Sequence, residues 1–418
     1  MKLENAVSRR RFLEIGSATL AATGAAGALS KTAGAQSQES AARTDHDQGL
    51  NNPGPKNPAL AAENPDSVTP PPTDHGNVQP FKYPFSVSHK RVEEGGWARQ
   101  VTVQDLPIAT TLAGVNMRLT AGGIRELHWH SAAEWAFMLH GSARITAITP
   151  DGKSYVSDVR EGDLWNFPSG IPHSIQGLAP DGCEFLLVFD DGEFSEYDTV
   201  QLTDWVAHTP REVLSKNFGV PQTAFDHSPK HELYIFQGEI PGPLAEDRKA
   251  AAGLAGVSPA PFDYHLRAQA PNKRTKSGEV RVVDSKNFSV ATAIAAALVL
   301  VHPGGMREMH WHPNADEWLY YIKGKARMTV FAASARARTM DFDAGDVGYV
   351  QKTFAHYIEN TGDSDLEFLE IFRSSYYQDI SLSNWLSHVP PELVQAHLRI
   401  DRATLDAIPR EEEVIVPA

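Results

Sequence analysis

One cysteine, Cys183, stands in a chain of 418 residues. A single thiol closes no intramolecular disulfide and builds no thiolate zinc cluster, so any bound metal must be held by nitrogen and oxygen. Positive charge is short as well: 38 Lys and Arg face 52 Asp and Glu, a formal charge of −14. Such a field repels phosphate backbones and argues against a nucleic-acid partner. Beyond the N-terminal region no apolar run approaches the roughly 20 residues that span a bilayer. What is there is ordinary core material, 41% hydrophobic and 22% charged residues, enough for two or three domains at roughly 150 residues each. The excess that asks for an explanation is 17 histidines.

The N-terminus reads as an address. Ser8-Arg9-Arg10-Arg11-Phe12-Leu13-Glu14 is followed by a weakly apolar run from Ile15 to Leu29 and then Ala33-Gly34-Ala35. Basic region, apolar region and small-residue cleavage site in that order form a secretory signal over residues 1–35. Arg9-Arg10 resembles the twin-arginine type, and the Gly, Ala and Thr in the run make it less greasy than a Sec signal. The run, about 15 residues, is too short for a membrane anchor. Cleavage after Ala35 removes five basic and two acidic side chains, leaving a mature charge near −17. The expectation is export by the twin-arginine route to the periplasm or beyond, with no membrane attachment afterwards. Residues 36–80, rich in Gln, Ser, Asn, Asp and Pro, are expected to be an extended arm.

From residue 100 onward short alternating or β-branched apolar runs are punctuated by Gly, Pro, Asp and Asn, the pattern of an all-β sandwich or barrel. Gly122-Gly-Ile-Arg-Glu-Leu-His-Trp-His130 returns as Gly304-Gly-Met-Arg-Glu-Met-His-Trp-His312, 182 residues later. Gly162-Asp163 precedes His173 by eleven residues, and Gly345-Asp346 precedes His356 by the same eleven. Leu202-Thr-Asp-Trp205 and Leu382-Ser-Asn-Trp385 close the two units. Two copies of one β-barrel domain is the economical reading: residues 81–240, and residues 241–418 with a C-terminal helical segment from Pro391 to Ile408. The Pro-, Gly- and Ala-rich stretch 241–262 connects them.

Alternation along a strand places His128 and His130 on one face, about 7 Å apart. Glu134 and His173 complete a first set, and His310, His312, Glu317 and His356 form the second. Glu317 lies one residue further from its His pair than Glu134, yet both carboxylates precede the last His by 39 residues. The extra residue is therefore confined to the bend, and the remaining register is kept. Three imidazoles and one carboxylate make a borderline-hard site. With two positions left open, octahedral Mn²⁺ or Fe²⁺ suits it better than closed tetrahedral zinc.

These residues resemble the cupin superfamily, whose paired motifs are a Gly-led His-x-His-x(3,4)-Glu segment and a later Gly-Asp…Pro…His segment. With Gly162-Asp-Leu-Trp-Asn-Phe-Pro-Ser-Gly-Ile-Pro-His-Ser-Ile-Gln176 and Gln201-Leu-Thr-Asp-Trp205, the stretch from about residue 80 to 410 closely resembles the bicupin oxalate decarboxylases. The resemblance implies two jelly-roll (double-stranded β-helix) barrels with short flanking helices, two Mn²⁺ per chain, dioxygen as co-catalyst, oxalate as substrate and a homo-oligomer. It implies that Arg125 and Arg307, each three residues before the first His ligand, hold the anionic substrate, which a guanidinium suits. It implies that an electron leaves oxalate, the C–C bond breaks to release CO₂, and the remaining one-carbon radical anion takes a proton, with the electron returned, to become formate. Glu196, in Gly192-Glu-Phe-Ser-Glu-Tyr-Asp-Thr-Val200, matches the family's lid proton donor, followed here by Tyr197-Asp198 in place of a small polar pair. Glu370 matches a family carboxylate near the second metal, where the first barrel has Leu187. Trp129, Trp165 and Trp311 are either electron relays or core packing.

If the lid fails to deliver its proton, the radical is oxidised to a second CO₂ with hydrogen peroxide, which is oxalate oxidase chemistry. A non-catalytic two-barrel storage or binding protein, and an Fe²⁺ dioxygenase of aromatic acids, are the remaining classes. Cys183 reads as a packed thiol. Twin-arginine export would let the protein fold and load metal in the cytoplasm. Exchanging the signal for a Sec type should therefore lower the manganese content of the periplasmic protein, measured by elemental analysis; unchanged content overturns the coupling of export to loading.

Overall fold

A computed structural model describes residues 57–65 and 78–417; the signal segment 1–35 and most of the arm lie outside them. The described chain is mostly β, with two barrels in one compact unit and only short helices. In the first barrel the strands Ala113–Leu119, Gly123–Trp129, Glu134–Ile148, Leu164–Phe167, His173–Gly177 and Cys183–Phe189 pair antiparallel. The second repeats them as Ala295–Val301, Met306–Trp311, Glu317–Lys323, Lys325–Ala332, Asp346–Val350, Ala355–Asn360 and Leu366–Phe372. At Gly141 and Gly324, with φ of 75° and 87°, the chain turns from one sheet of its barrel to the other. An L residue is strained at such φ, so glycine is the residue that makes this corner cheaply.

The two Gly-Asp turns are built alike. Gly162 and Gly345 have φ of 85° and 90°, and the following aspartate accepts the backbone N–H three residues earlier, Arg160 at 3.0 Å and Asp343 at 2.8 Å. Each turn is then gripped by the segment that leads into the other barrel. Lys82–Pro84 pairs with Asp346–Gly348, and Lys82 Nζ lies 3.0 Å from Asp346 Oδ2. Asp263–Tyr264 pairs with Leu164–Trp165, and His265 Nδ1 lies 2.8 Å from Asp163 Oδ1. The sequence repeat did not reveal this exchange, because each leading segment lies far along the chain from the strand it joins. One apolar cluster accordingly runs through both barrels, with Phe81, Phe85, Trp135 and Phe137 packed among Trp318, Tyr321, Tyr349 and Phe368.

The arm carries a short helix, Pro58–Ala62, capped by the Asn57 side chain, and Glu63 joins Lys82 at 3.1 Å. The connection 241–262 holds the helix Leu244–Ala251, tied down where Arg144 meets Asp247 and Arg248 donates to the Val156 carbonyl at 2.8 Å. The C-terminal segment is two helices, Pro391–Leu398 and Arg402–Asp406, because Arg399 turns left-handed (φ 56°) and Asp401 caps the second. Ile415–Val416 then closes on Met306–Arg307. Cys183 is buried, and burial pushes its thiol up to about 12. Among the described residues no helix is long and apolar enough to cross a membrane.

Lys82 and Asp346 keep 7% and 8% of their side-chain surface exposed, so removing the Lys82 charge leaves Asp346 buried without its counter-ion. Lys82→Met should lower unfolding stability by roughly 3 kcal/mol in urea denaturation. Lys82→Met with Asp346→Asn, which removes the unpaired charge and keeps an acceptor for the Asp343 N–H, should recover part of that loss.

Candidate metal centres

His128 faces His173 across paired strands, and His310 faces His356 in the same way. Both pairings contain a bulge. Between Arg125 and His128 the strand spends three residues where its partner, Ile175 to His173, spends two; Arg307 to His310 repeats this. A regular strand would put residues three apart on opposite faces. The bulge turns both inward, so Arg125, His128 and His130 are buried together while Leu127 is exposed.

The two sets converge. His128, His130, Glu134 and His173 bring their ligand atoms within 4.8 Å of one another, as do His310, His312, Glu317 and His356, and all eight residues are buried. Every imidazole is oriented from behind by a main-chain carbonyl on its Nδ1. Glu126, Ala132 and Ile171 supply these oxygens in the first centre at 2.6, 2.7 and 2.7 Å. Glu308, Gln378 and Phe354 supply them in the second at 2.6, 2.7 and 3.1 Å. A carbonyl only accepts, so Nδ1 carries the hydrogen and each neutral ring turns the Nε2 lone pair inward. In the second centre Nε2 of all three rings and both oxygens of Glu317 are buried and, among the described residues, have no hydrogen-bond partner, although His356 Nε2 lies 2.8 Å from Glu317 Oε2. Lone pairs aimed at one point are costly alone and suit a cation. Burial, helped by Arg125 and the other two rings, pushes the His128 imidazolium well below its usual range, which favours the neutral ligand.

The surroundings of the two centres differ. Trp165 Nε1 donates to Glu134 Oε1 at 3.1 Å; the second barrel has Gly348 in that register. Arg125 donates to Gln201 Oε1 at 2.9 Å and to the Tyr234 carbonyl at 3.2 Å, and among the described residues it makes no ion pair. Arg307 is already committed, to Glu370 at 3.2 Å, Asp379 at 2.5 Å, the Tyr377 hydroxyl at 2.8 Å and the Val414 carbonyl at 3.3 Å. A substrate carboxylate reaching Arg307 would have to displace one of those acids. Burial, reinforced by Glu317 and opposed by Arg307, pushes the Glu370 carboxyl up to about 7.

Glu196 opens a short 3₁₀ turn, Glu196–Asp198, capped by Ser195. It lines one cavity with Arg125, His128, His130, Glu134 and Thr199. Phe194 anchors the segment by stacking on Phe189 at 3.6 Å, while Tyr197 is 93% exposed. Two residues escaped sequence reasoning. Tyr234 donates its hydroxyl to Glu196 Oε1, its ring lying between the guanidinium groups of Arg91 and Arg125 at 3.8 and 4.5 Å. Glu126 accepts from Thr203, Leu233 and Tyr234 backbone N–H groups at 2.6, 2.9 and 2.9 Å, pinning Tyr234 beside Arg125. Glu308 does the like for Val414 at 2.8 Å; the signal was the Arg-Glu pair common to both repeats. Trp129 and Trp311 meet Trp205 and Trp385 edge to face at 5.5 and 5.7 Å.

Two antiparallel barrels, each with a three-histidine, one-carboxylate centre among the ends of its inner strands, define a two-domain metal-binding β-barrel protein. The chain belongs to the cupin family, whose model matches residues 85–224 and 264–406. It is 53% identical to the oxalate decarboxylase of Bacillus subtilis over 87% of this chain and 93% of the relative. It is 41% identical to a probable oxalate decarboxylase of Arthroderma benhamiae over 87% and 90%. The structure of the B. subtilis enzyme at pH 4.6 matches with a TM-score of 0.84 at 52% identity, covering 89% of this chain and 96% of that one. Another, described for the Mn(II) centres of that enzyme, matches with a TM-score of 0.85 at 52% identity over 90% and 98%.

Replacing Trp165 by Phe keeps the ring but leaves Glu134 Oε1 without its donor. Chelator competition should show manganese held about 10- to 100-fold more weakly at the first centre, with the second unchanged.

Proposed function

We infer that the protein is a manganese- and dioxygen-dependent oxalate decarboxylase, converting oxalate and a proton to formate and carbon dioxide. The observation that carries this reading is the placement of Glu196 in one cavity with Arg125 and the first centre. The match to the bacterial enzyme over nearly the whole of both chains supports the substrate. The nitrogen and oxygen donors with no thiolate fit manganese, which when bound supplies Lewis acidity and one-electron chemistry.

The protein side of the reaction follows from the residues. Arg125, without a carboxylate partner, receives one end of the dianion. Thr199, whose buried hydroxyl has no partner among the described residues, lines the same cavity and is available to a substrate hydrogen bond. The stacked Phe189 and Phe194 keep water out, which strengthens every charge interaction inside. Tyr234 occupies Oε1 of Glu196, leaving Oε2 to carry the proton that is delivered to carbon as CO₂ departs. Turnover is assigned to the first centre. With Arg307 locked between Glu370 and Asp379, the second is read as structural or as an aid to electron transfer, with Glu370 its acid. Residues 1–35 send the protein out by the twin-arginine route. Exposed Trp205, Val213, Phe218, Trp385, Leu393 and Leu398 on the helices after each barrel support a homo-oligomer.

Manganese-loaded protein given oxalate in air should yield stoichiometric formate. Mostly hydrogen peroxide would move the assignment to oxidase, and unchanged oxalate would remove both. Glu196→Gln should cut formate output by about 100-fold or more with both manganese ions retained; undiminished formate would mean the donor lies elsewhere.

A further inference from the structure

The loop of residues 102–112, which leads into strand Ala113–Leu119, joins the segment over the first centre to a residue beside the second. Near its start Val103 N–H donates to the Gly192 carbonyl at 2.9 Å, at the base of the lid. Gly192 presses on the same loop so closely that a Cβ there would lie 2.4 Å from the Ala109 oxygen and the Thr110 carbonyl carbon. At its end the Thr111 hydroxyl donates to Asp316 Oδ2 at 2.9 Å, beside the Tyr349 hydroxyl at 2.8 Å.

Asp316 belongs to the other barrel and immediately precedes Glu317. It also accepts the Tyr349 hydroxyl at 2.6 Å and the Lys352 N–H at 2.7 Å. The loop that starts at Lys352 ends on Phe354, whose carbonyl orients His356. One carboxylate thus braces two of the four ligands of the second centre and holds the loop on which the first centre's lid rests. The first barrel has Ala133 in the place of Asp316, so the brace is no general property of the repeat.

We propose that Thr111 and Asp316 are positioning residues that couple the second centre to the lid over the first. When Glu317 and His356 close on a cation, Asp316 is fixed, the 108–112 loop is held and the Gly192–Glu196 segment stays shut. When the second centre is relaxed, the hold on that loop weakens and the lid opens more often. The two centres then bias one element from its two ends, which is what an energetic coupling requires. The coupling is read from lid opening and not from turnover, so it stands apart from the assignment of Glu196 as proton donor.

A double-mutant cycle on the full-length, manganese-loaded protein tests it. Lid opening is timed, in a Tyr197→Ser background that removes the exposed cleavage site of the shut lid, by chymotrypsin cleavage after Phe194, which is buried when the lid is shut. Thr111→Val and, separately, His310→Ala should each speed cleavage about fivefold, the scale of one lost hydrogen bond. The double variant should be no faster than the faster single one, and Thr111→Ser should behave as wild type. Multiplying effects, or a Thr111→Val protein cleaved at the wild-type rate, overturn the proposal. Should His310→Ala fail to fold, chelator-driven loss of the second manganese, followed by EPR, decides. Thr111→Val must speed that loss and Thr111→Ser must not; an unchanged rate overturns it.

Discussion

Six buried imidazoles donate their Nδ1 hydrogens to main-chain carbonyls, and the rest of the structure depends on that constraint. Once those hydrogens are committed, the Nε2 lone pairs have one direction left, toward Glu134 in one barrel and Glu317 in the other. Unpartnered buried polar atoms cost about 1–3 kcal/mol each, so five of them in the second centre tie the stability of the barrel to the ion that satisfies them. The bulges turn the ligands inward, and the carboxylates of Glu126 and Glu308 pin the strands on which they sit to the segments behind them.

Equal ligands do not make equal centres. Arg125 keeps its charge uncompensated beside a cavity, whereas Arg307 is neutralised by Glu370 and Asp379 before any substrate arrives. In an acidic chain this decides where an anion can settle, because a local guanidinium and a metal must outweigh a repulsive long-range field. Tyr234 joins the parts on the first side: its carbonyl takes Arg125, its hydroxyl takes Glu196, and its backbone N–H is pinned by Glu126.

The barrels are also bound to one another by exchange. Lys82 grips the turn of the second barrel and His265 that of the first, at corresponding points of the repeat. Each leading segment completes a sheet that its own barrel does not contain. Such trading places the loop ahead of one barrel against the ligand strands of the other, so the two centres share packed elements as well as a linker.

The ligand set was legible in the sequence because metal binding needs particular side chains at particular spacings, and the repeat printed them twice. His128 and His130 on one face follow from strand periodicity alone, and the missing thiols restrict the donor set to nitrogen and oxygen. Period-two reasoning, however, would set Arg125 opposite His128; only the bulge, a property of how two strands pair, brings them to one side. Likewise nothing local marks Tyr234 as the partner of Glu196, Asp379 as the neutraliser of Arg307, or Asp346 as the partner of Lys82. These contacts join residues tens to hundreds of positions apart. By itself the sequence determined the all-β repeat and the chemistry of the eight ligands, which are local in pattern. The tertiary structure decided which arginine stays free and how each barrel completes the other, because those depend on where distant segments meet.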